Sequence, residues 1–148
     1  GYYTDVELPD QWREHRLMRL CRGCTICKTE CPTKCIRDEQ FVIDIDHCLT
    51  LYNEQNKDFP DWMDPKIHHS IVGCLKCQWD CPANVEAIKE IQLFGTLNEK
   101  ETEHILSDRT DKKLETEIAE KVKLYPSAGV FDYFRRNTSL MLRNQLNS

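Results

Sequence analysis

The sequence contains no apolar run approaching the length of about 20 residues that a membrane-spanning helix requires. Nothing in it resembles a secretory signal or a twin-arginine export segment. It has only 5 glycines in 148 residues, and none are grouped as a phosphate-cradling loop. A nucleophile elbow and a zinc-protease motif are also missing. No Ser–His–Asp set or carboxylate pair can be assembled from its spacing; the many Glu and Asp residues read as helix surfaces. Long basic blocks are absent too, and the net charge is -5, so direct nucleic-acid binding is not expected. The acidic balance reads as a solvated surface, although it would also suit docking to a basic redox partner.

Cysteine, by contrast, is plentiful, with nine residues. Cys21, Cys24, Cys27 and Cys31, followed by Pro32, form a C-x2-C-x2-C-x3-C-P run. Three thiolates on a tight loop reach three irons of one [4Fe–4S] cluster, and in two-cluster ferredoxins the fourth cysteine ligates the other cluster. The run therefore predicts a second cysteine set. Cys74, Cys77 and Cys81, followed by Pro82, form C-x2-C-x3-C-P, one cysteine short of the full run. Cys48 lies between the two sets and supplies the missing ligand, giving eight ligands for two clusters with Cys35 left over. A structural-zinc module would need paired C-x2-C knuckles rather than a three-thiol comb. A disulfide framework suits a secreted chain with an even cysteine count.

The rest of the chain reads as mainly helical. Gly1 to Pro9 reads as a strand with no partner nearby, and the expectation is that the sequence is the C-terminal part of a longer chain. Asp10 is placed to cap a helix through Trp12, Arg16 and Leu20. Its Trp12, His15, Leu17, Met18 and Leu20 form an apolar stripe, read as core packing. Phe41 to Ile45 alternates as a short strand, and Asp46 is expected to cap a helix carrying Cys48, Leu49, Leu51 and Tyr52. Residues 53–65 read as a surface loop. His68 and His69 are expected to be solvated or hydrogen-bonded rather than metal-bound, because sequence neighbours diverge on a helix. Gly73 is expected to let backbone approach a cluster. Asn84 is placed to cap a helix with Val85, Ile88, Ile91 and Phe94 on one face, ended by Gly95. Asn98 with Glu101 resembles a capping box. Leu114, Ile118 and Val122 recur at every fourth position, Pro126 ends that stripe, and Phe131 to Leu146 suggest a last pair of helices.

With both cysteine sets in view, the chain resembles the iron–sulfur part of epoxyqueuosine reductases and corrinoid-dependent reductive dehalogenases. The likeness is carried by the first run, by Cys48 within Ile45-Asp46-His47-Cys48-Leu49, and by Gly73 through Pro82. The gaps fit as well, with 16 residues between Cys31 and Cys48 and 25 between Cys48 and Cys74. Thr4 to Leu8 resembles the strand before the first run, and the tail after Asn98 is loosely similar to the helical tail of the queuosine enzymes. Cys35 falls where the family has a small residue.

The resemblance implies an α+β, mainly helical fold. A ferredoxin-like two-[4Fe–4S] core with short strands would occupy residues 1–95, and a helical extension residues 96–148. It implies that Cys21, Cys24, Cys27 and Cys81 hold one cluster, and Cys31, Cys48, Cys74 and Cys77 the other. In those families an upstream domain binds cobalamin and carries the catalytic acid. This segment is therefore expected to pass electrons without being catalytic itself. A ferredoxin or flavodoxin would be its donor, and a cobalamin-binding domain or corrinoid enzyme its acceptor. A stand-alone ferredoxin-like subunit is the alternative, and a zinc-stabilised interaction module a remote one. The reduced cysteines and the absence of an export signal place the expectation in the cytoplasm, away from any membrane.

Overall fold

The structure is a computed structural model that describes residues 5–7, 18–38, 42–93, 95–124 and 129–146. Among these it is mainly helical. Its helices are α1 (Ile26–Glu30), α2 (Leu49–Asn53), α3 (Lys76–Trp79), α4 (Val85–Lys89), α5 (Glu99–Leu106), α6 (Lys112–Lys121) and α7 (Val130–Leu146). Single 3₁₀ turns lie at Arg19–Cys21, Ile45–His47 and Pro65–Ile67.

Among the described residues little of the expected strand content is present. Among the described residues the strand at 41–45 is reduced to one antiparallel bridge, Ile36 to Ile43. Asp44 N–H to Cys35 O at 2.8 Å and Arg37 N–H to Val42 O at 3.0 Å flank it. The alternating pattern has no face to bury, since Val42, Ile43 and Ile45 all stay exposed, and the chain leaves the extended form at Ile45. The N-terminal strand and the helix from Asp10 fall mostly outside the described residues. Asp5 to Glu7 contain only a bend, and the end of that helix is the 3₁₀ turn at Arg19–Cys21. Met18 and Leu20, expected in a packed stripe, are exposed.

Two local expectations are also corrected. Cys48 is not inside a helix capped by Asp46; it is the N-cap residue of α2, and Asp46 lies in the preceding 3₁₀ turn. Asn84 makes no cap bond; its amide donates to Gln78 O at 3.0 Å and Gln78 Oε1 at 2.8 Å, fastening α4 to α3. The helix it begins ends at Lys89, leaving Ile91 exposed, while Phe94 lies outside the described residues.

The C-terminal helices follow the sequence more closely. Asn98 Oδ1 accepts from Glu101 N–H at 2.9 Å, and Glu101 Oε2 accepts from Asn98 N–H at 2.7 Å, completing a capping box. Asp111 caps α6 by accepting from the N–H groups of Lys113 and Leu114. The expected last pair of helices is one helix, α7, because no proline or glycine interrupts residues 130–146. Ile105, Ile118, Phe131, Tyr133 and Phe134 make the hydrophobic core, with Leu97, Leu114 and Val122 packed around it. Burial of this apolar area is the main stabilising term for α5, α6 and α7.

A second face of α7 is polar and reaches back to the cysteine-bearing half. Asn137, fully buried, donates to Asn53 O at 2.8 Å and Ile71 O at 2.7 Å. Arg136 donates to Tyr52 O at 2.6 Å and to Lys57 O, with its guanidinium over the Phe59 ring at 4.2 Å. Asn144 donates to Pro65 O at 2.7 Å and His68 O at 3.0 Å. The segment 53–65 is therefore more than a surface loop, since Asn53 and Met63 are buried within it. No helix of the described residues is long and apolar enough to cross a membrane.

Candidate metal centre

Short helices and tight turns present the cysteines. Cys21 ends its 3₁₀ turn and accepts the Cys24 N–H at 3.3 Å through its carbonyl, with Gly23 between them at φ +75°. That left-handed position is one a side chain rarely adopts, which explains the glycine. Cys27 sits in α1, and Cys31 caps the end of the same helix. Helix α1 packs against α3, which carries Cys77 and is followed by Cys81. Each run thus contributes one short helix to a common interface. Gly73 also has a positive φ, +64°, yet its nearest outside neighbour is Glu54 Oε1 at 3.7 Å. That left-handed conformation favours glycine there.

The second expected ligand set converges. Cys31, Cys48, Cys74 and Cys77 line one small cavity, with Leu49 on its wall. Cys31 comes from the first run, Cys48 from the start of α2, and the other two from the second run. Cys35, the cysteine left over from the two runs, lines the same cavity. Of the first expected set, Cys21, Cys24, Cys27 and Cys81 are all half-buried, and none of them lines that cavity.

The electrostatics of the cavity follow from crowding several thiols together. Burial raises the Cys74 thiol, and the proximity of Cys48, Cys31 and Cys77 raises it further, against a lowering hydrogen bond from the Lys76 N–H. Burial likewise raises Cys77, with Cys31 and Cys48 adding to it and Gln78 opposing. Cys31 behaves differently. Burial acts to raise it, but hydrogen bonds from the side chains and backbone N–H groups of Thr33 and Cys35 prevail, and its thiol lies below the ordinary value. Cys35 goes the other way, pushed up to about 12 mainly by burial, with Cys31 and Cys48 contributing.

Groups beyond the cysteines touch the sulfurs. Thr33 Oγ1 lies 3.6 Å from Cys31 Sγ. His69 Nε2 lies 3.6 Å from Cys74 Sγ and 3.0 Å from Cys74 O, while its Nδ1 meets Ile67 O at 2.9 Å. His69 is thus hydrogen-bonded, as expected, but to a candidate ligand. His68 is instead buried, edge-on to Phe59 with centroids 5.1 Å apart. Leu75, at φ +56°, turns the chain between Cys74 and α3. Turns of this left-handed kind aim successive backbone N–H groups at anions and recur around iron–sulfur sites.

Among the described residues, no three His, Cys, Asp or Glu side chains converge as they would on a single ion. One zinc ion holds its thiolates at about 2.3 Å and so draws them close together. A four-iron cluster binds one thiolate per iron and spreads its ligands across its own width. Several thiols crowded at one cavity, with backbone N–H groups turned toward the sulfurs of Cys31 and Cys74, fit a polynuclear thiolate-bound centre. The donor set therefore suits [4Fe–4S] clusters.

Comparison with known proteins agrees. Residues 20–84 match the 4Fe-4S double cluster binding domain family. The epoxyqueuosine reductase of Atelocyanobacterium thalassa (isolate ALOHA) is 36% identical over 78 residues, 51% of this chain and 25% of that protein. That of Prochlorococcus marinus (strain NATL2A) is 35% identical over 71 residues, 47% of this chain and 22% of that protein. That of Gloeobacter violaceus is 35% identical over 69 residues, covering 45% and 21% respectively. The matched region thus spans about a quarter of the length of these curated relatives. No solved structure matches the chain. Residues 20–84 are thus similar to a 4Fe-4S double cluster binding domain and to the corresponding part of epoxyqueuosine reductases.

Proposed function

We propose that this chain is an electron-transfer module, the reducing arm of a cobalamin-dependent reductase similar to epoxyqueuosine reductase. Cys21, Cys24, Cys27 and Cys81 would hold one [4Fe–4S] cluster, and Cys31, Cys48, Cys74 and Cys77 the other, in a ferredoxin-like arrangement about the α1–α3 pair. When bound, such clusters supply reversible one-electron storage. A ferredoxin or flavodoxin would be the donor, and a cobalamin-binding domain or a corrinoid enzyme the acceptor, in a cytoplasmic setting.

The observation that carries this reading is the cavity where Cys31 of the first run meets Cys48, Cys74 and Cys77. A ligand crossing from one run to the other is what two interlocked clusters require. The chain's own part is to supply thiolates, to exclude water with residues such as Leu49, and to direct N–H groups at sulfur, which together tune potential. Each set offers four thiolates to four irons, which leaves no open position of the kind a catalytic metal keeps for substrate.

The test is to purify the protein anaerobically, reduce it chemically, and follow its reoxidation by a cobalamin-bearing protein added in trans. Single-electron transfer without turnover of epoxyqueuosine-containing RNA or of a halogenated substrate is expected. Turnover of either substrate by this chain alone, without cobalamin, would contradict the proposal.

A further inference from the structure

We infer that Cys35 is a thiol hydrogen-bond donor to the Cys31 sulfur and, without ligating iron, sets the potential of the cluster that Cys31 would hold. The inference rests on the two-cluster reading above. The two Sγ atoms are 3.4 Å apart, within hydrogen-bonding range for sulfur, and both residues are only 5% exposed. Both line the cavity shared with Cys48, Cys74 and Cys77, so Cys35 is a fifth thiol where a cluster needs four.

The backbone fixes this contact from both sides. A turn closed by Lys34 N–H to Cys31 O at 3.2 Å follows Cys31-Pro32. Lys34 then takes φ +54°, a left-handed conformation unfavourable for a residue with a Cβ. Its ammonium reaches back to Thr29 O at 2.6 Å and steadies the turn. Beyond it, the Cys35 carbonyl accepts from Asp44 N–H at 2.8 Å, next to the Ile36–Ile43 bridge. Strain held in place by bonds on both sides is a feature that functional sites share.

The chemistry of the pair assigns the roles. An iron-bound Cys31 has no proton to give and acts as acceptor, which makes Cys35 the donor. A hydrogen bond to a ligand sulfur draws off negative charge and favours the reduced cluster, the more negative of its two states. Cys35 is accordingly a positioning residue that acts through Cys31.

The experiment is a redox titration followed by electron paramagnetic resonance on wild type, Cys35→Ala and Cys35→Ser, each with iron and sulfide measured. We expect all three to carry the same iron and sulfide. One of the two potentials should become more negative in Cys35→Ala while the other stays in place, and the serine hydroxyl should move it back. Full clusters with both potentials unchanged in Cys35→Ala would overturn the inference, and iron loss in that variant would make Cys35 a ligand instead. A wild-type protein without iron and sulfide would overturn both this inference and the two-cluster reading.

Discussion

Asn137 of α7 donates its side-chain amide to the backbone carbonyl of Asn53, 84 residues earlier, at 2.8 Å, and both side chains are fully buried. The same amide group reaches Ile71 O at 2.7 Å, and Asn53 in turn donates to Gly73 O at 2.5 Å. The C-terminal helix thus supports the loop from which Cys74 emerges. Replacing Asn137 by Ala strands two buried carbonyls, each worth about 1–3 kcal/mol. Asn137→Ala should therefore lower unfolding free energy by about 2–6 kcal/mol in a chemical denaturation series. An unchanged denaturation midpoint would show that the loop is held by other means.

The choice of Cys48 over Cys35 as a ligand has a direct consequence. Cys48→Ala should lose about half the iron, because one of two four-iron sites is left with three thiolates. Cys35→Ala should lose none. The reverse pattern in an iron assay of the two variants would exchange their roles.

His68 offers a pH prediction. Burial, helped by the nearby Arg136 and His69 side chains, lowers its pKa from 6.5 to about 4. The ring Nε2 has no hydrogen-bond partner, and the residue is 4% exposed. Between about pH 6.5 and 4 the unfolded chain binds the proton and the folded chain does not. Its contribution to stability is thus present above pH 6.5 and is lost as pH falls toward 4, by an amount on the order of 3 kcal/mol at most. The melting temperature of His68→Phe should fall less steeply than that of wild type between pH 7 and 5. Parallel slopes would mean that His68 titrates normally.

Removing iron should affect the two halves unequally. Apart from cysteines, the buried apolar residues of the first half are only Leu49 and Met63 among those described, whereas α5, α6 and α7 share a contiguous core. A small segment with few buried apolar groups depends on its metal for folding. After anaerobic chelation, amide protection should vanish from α1 and α3 and persist in α5 and α7. Uniform loss of protection would show that the clusters hold the whole chain together.

What could be read from the sequence was whatever short-range chemistry determines. The cysteine spacing singled out Cys31, Cys48, Cys74 and Cys77, which line one cavity, and Asn98 with Glu101 formed the capping box their spacing suggested. The Leu114–Ile118–Val122 stripe packs on the core it implied. Contacts made across the fold were not legible. Cys35 reaches Cys31 only through a left-handed Lys34, a conformation no propensity assigns to lysine. His69 reaches Cys74 because the chain loops back between them. The 41–45 alternation misled because a period of two describes a strand only where a neighbouring sheet exists to pair with it. Asn84 carried the chemistry of a cap, but its side chain is turned so that Nδ2 donates to Gln78, and it makes no cap bond.

The central claim is that the eight cysteines of the two runs and Cys48 hold two four-iron clusters. The most direct test is the iron and acid-labile sulfide content of anaerobically purified protein. About eight iron and about eight sulfide per chain are predicted, from one thiolate per iron in each of two clusters. Stoichiometric zinc without sulfide would contradict it.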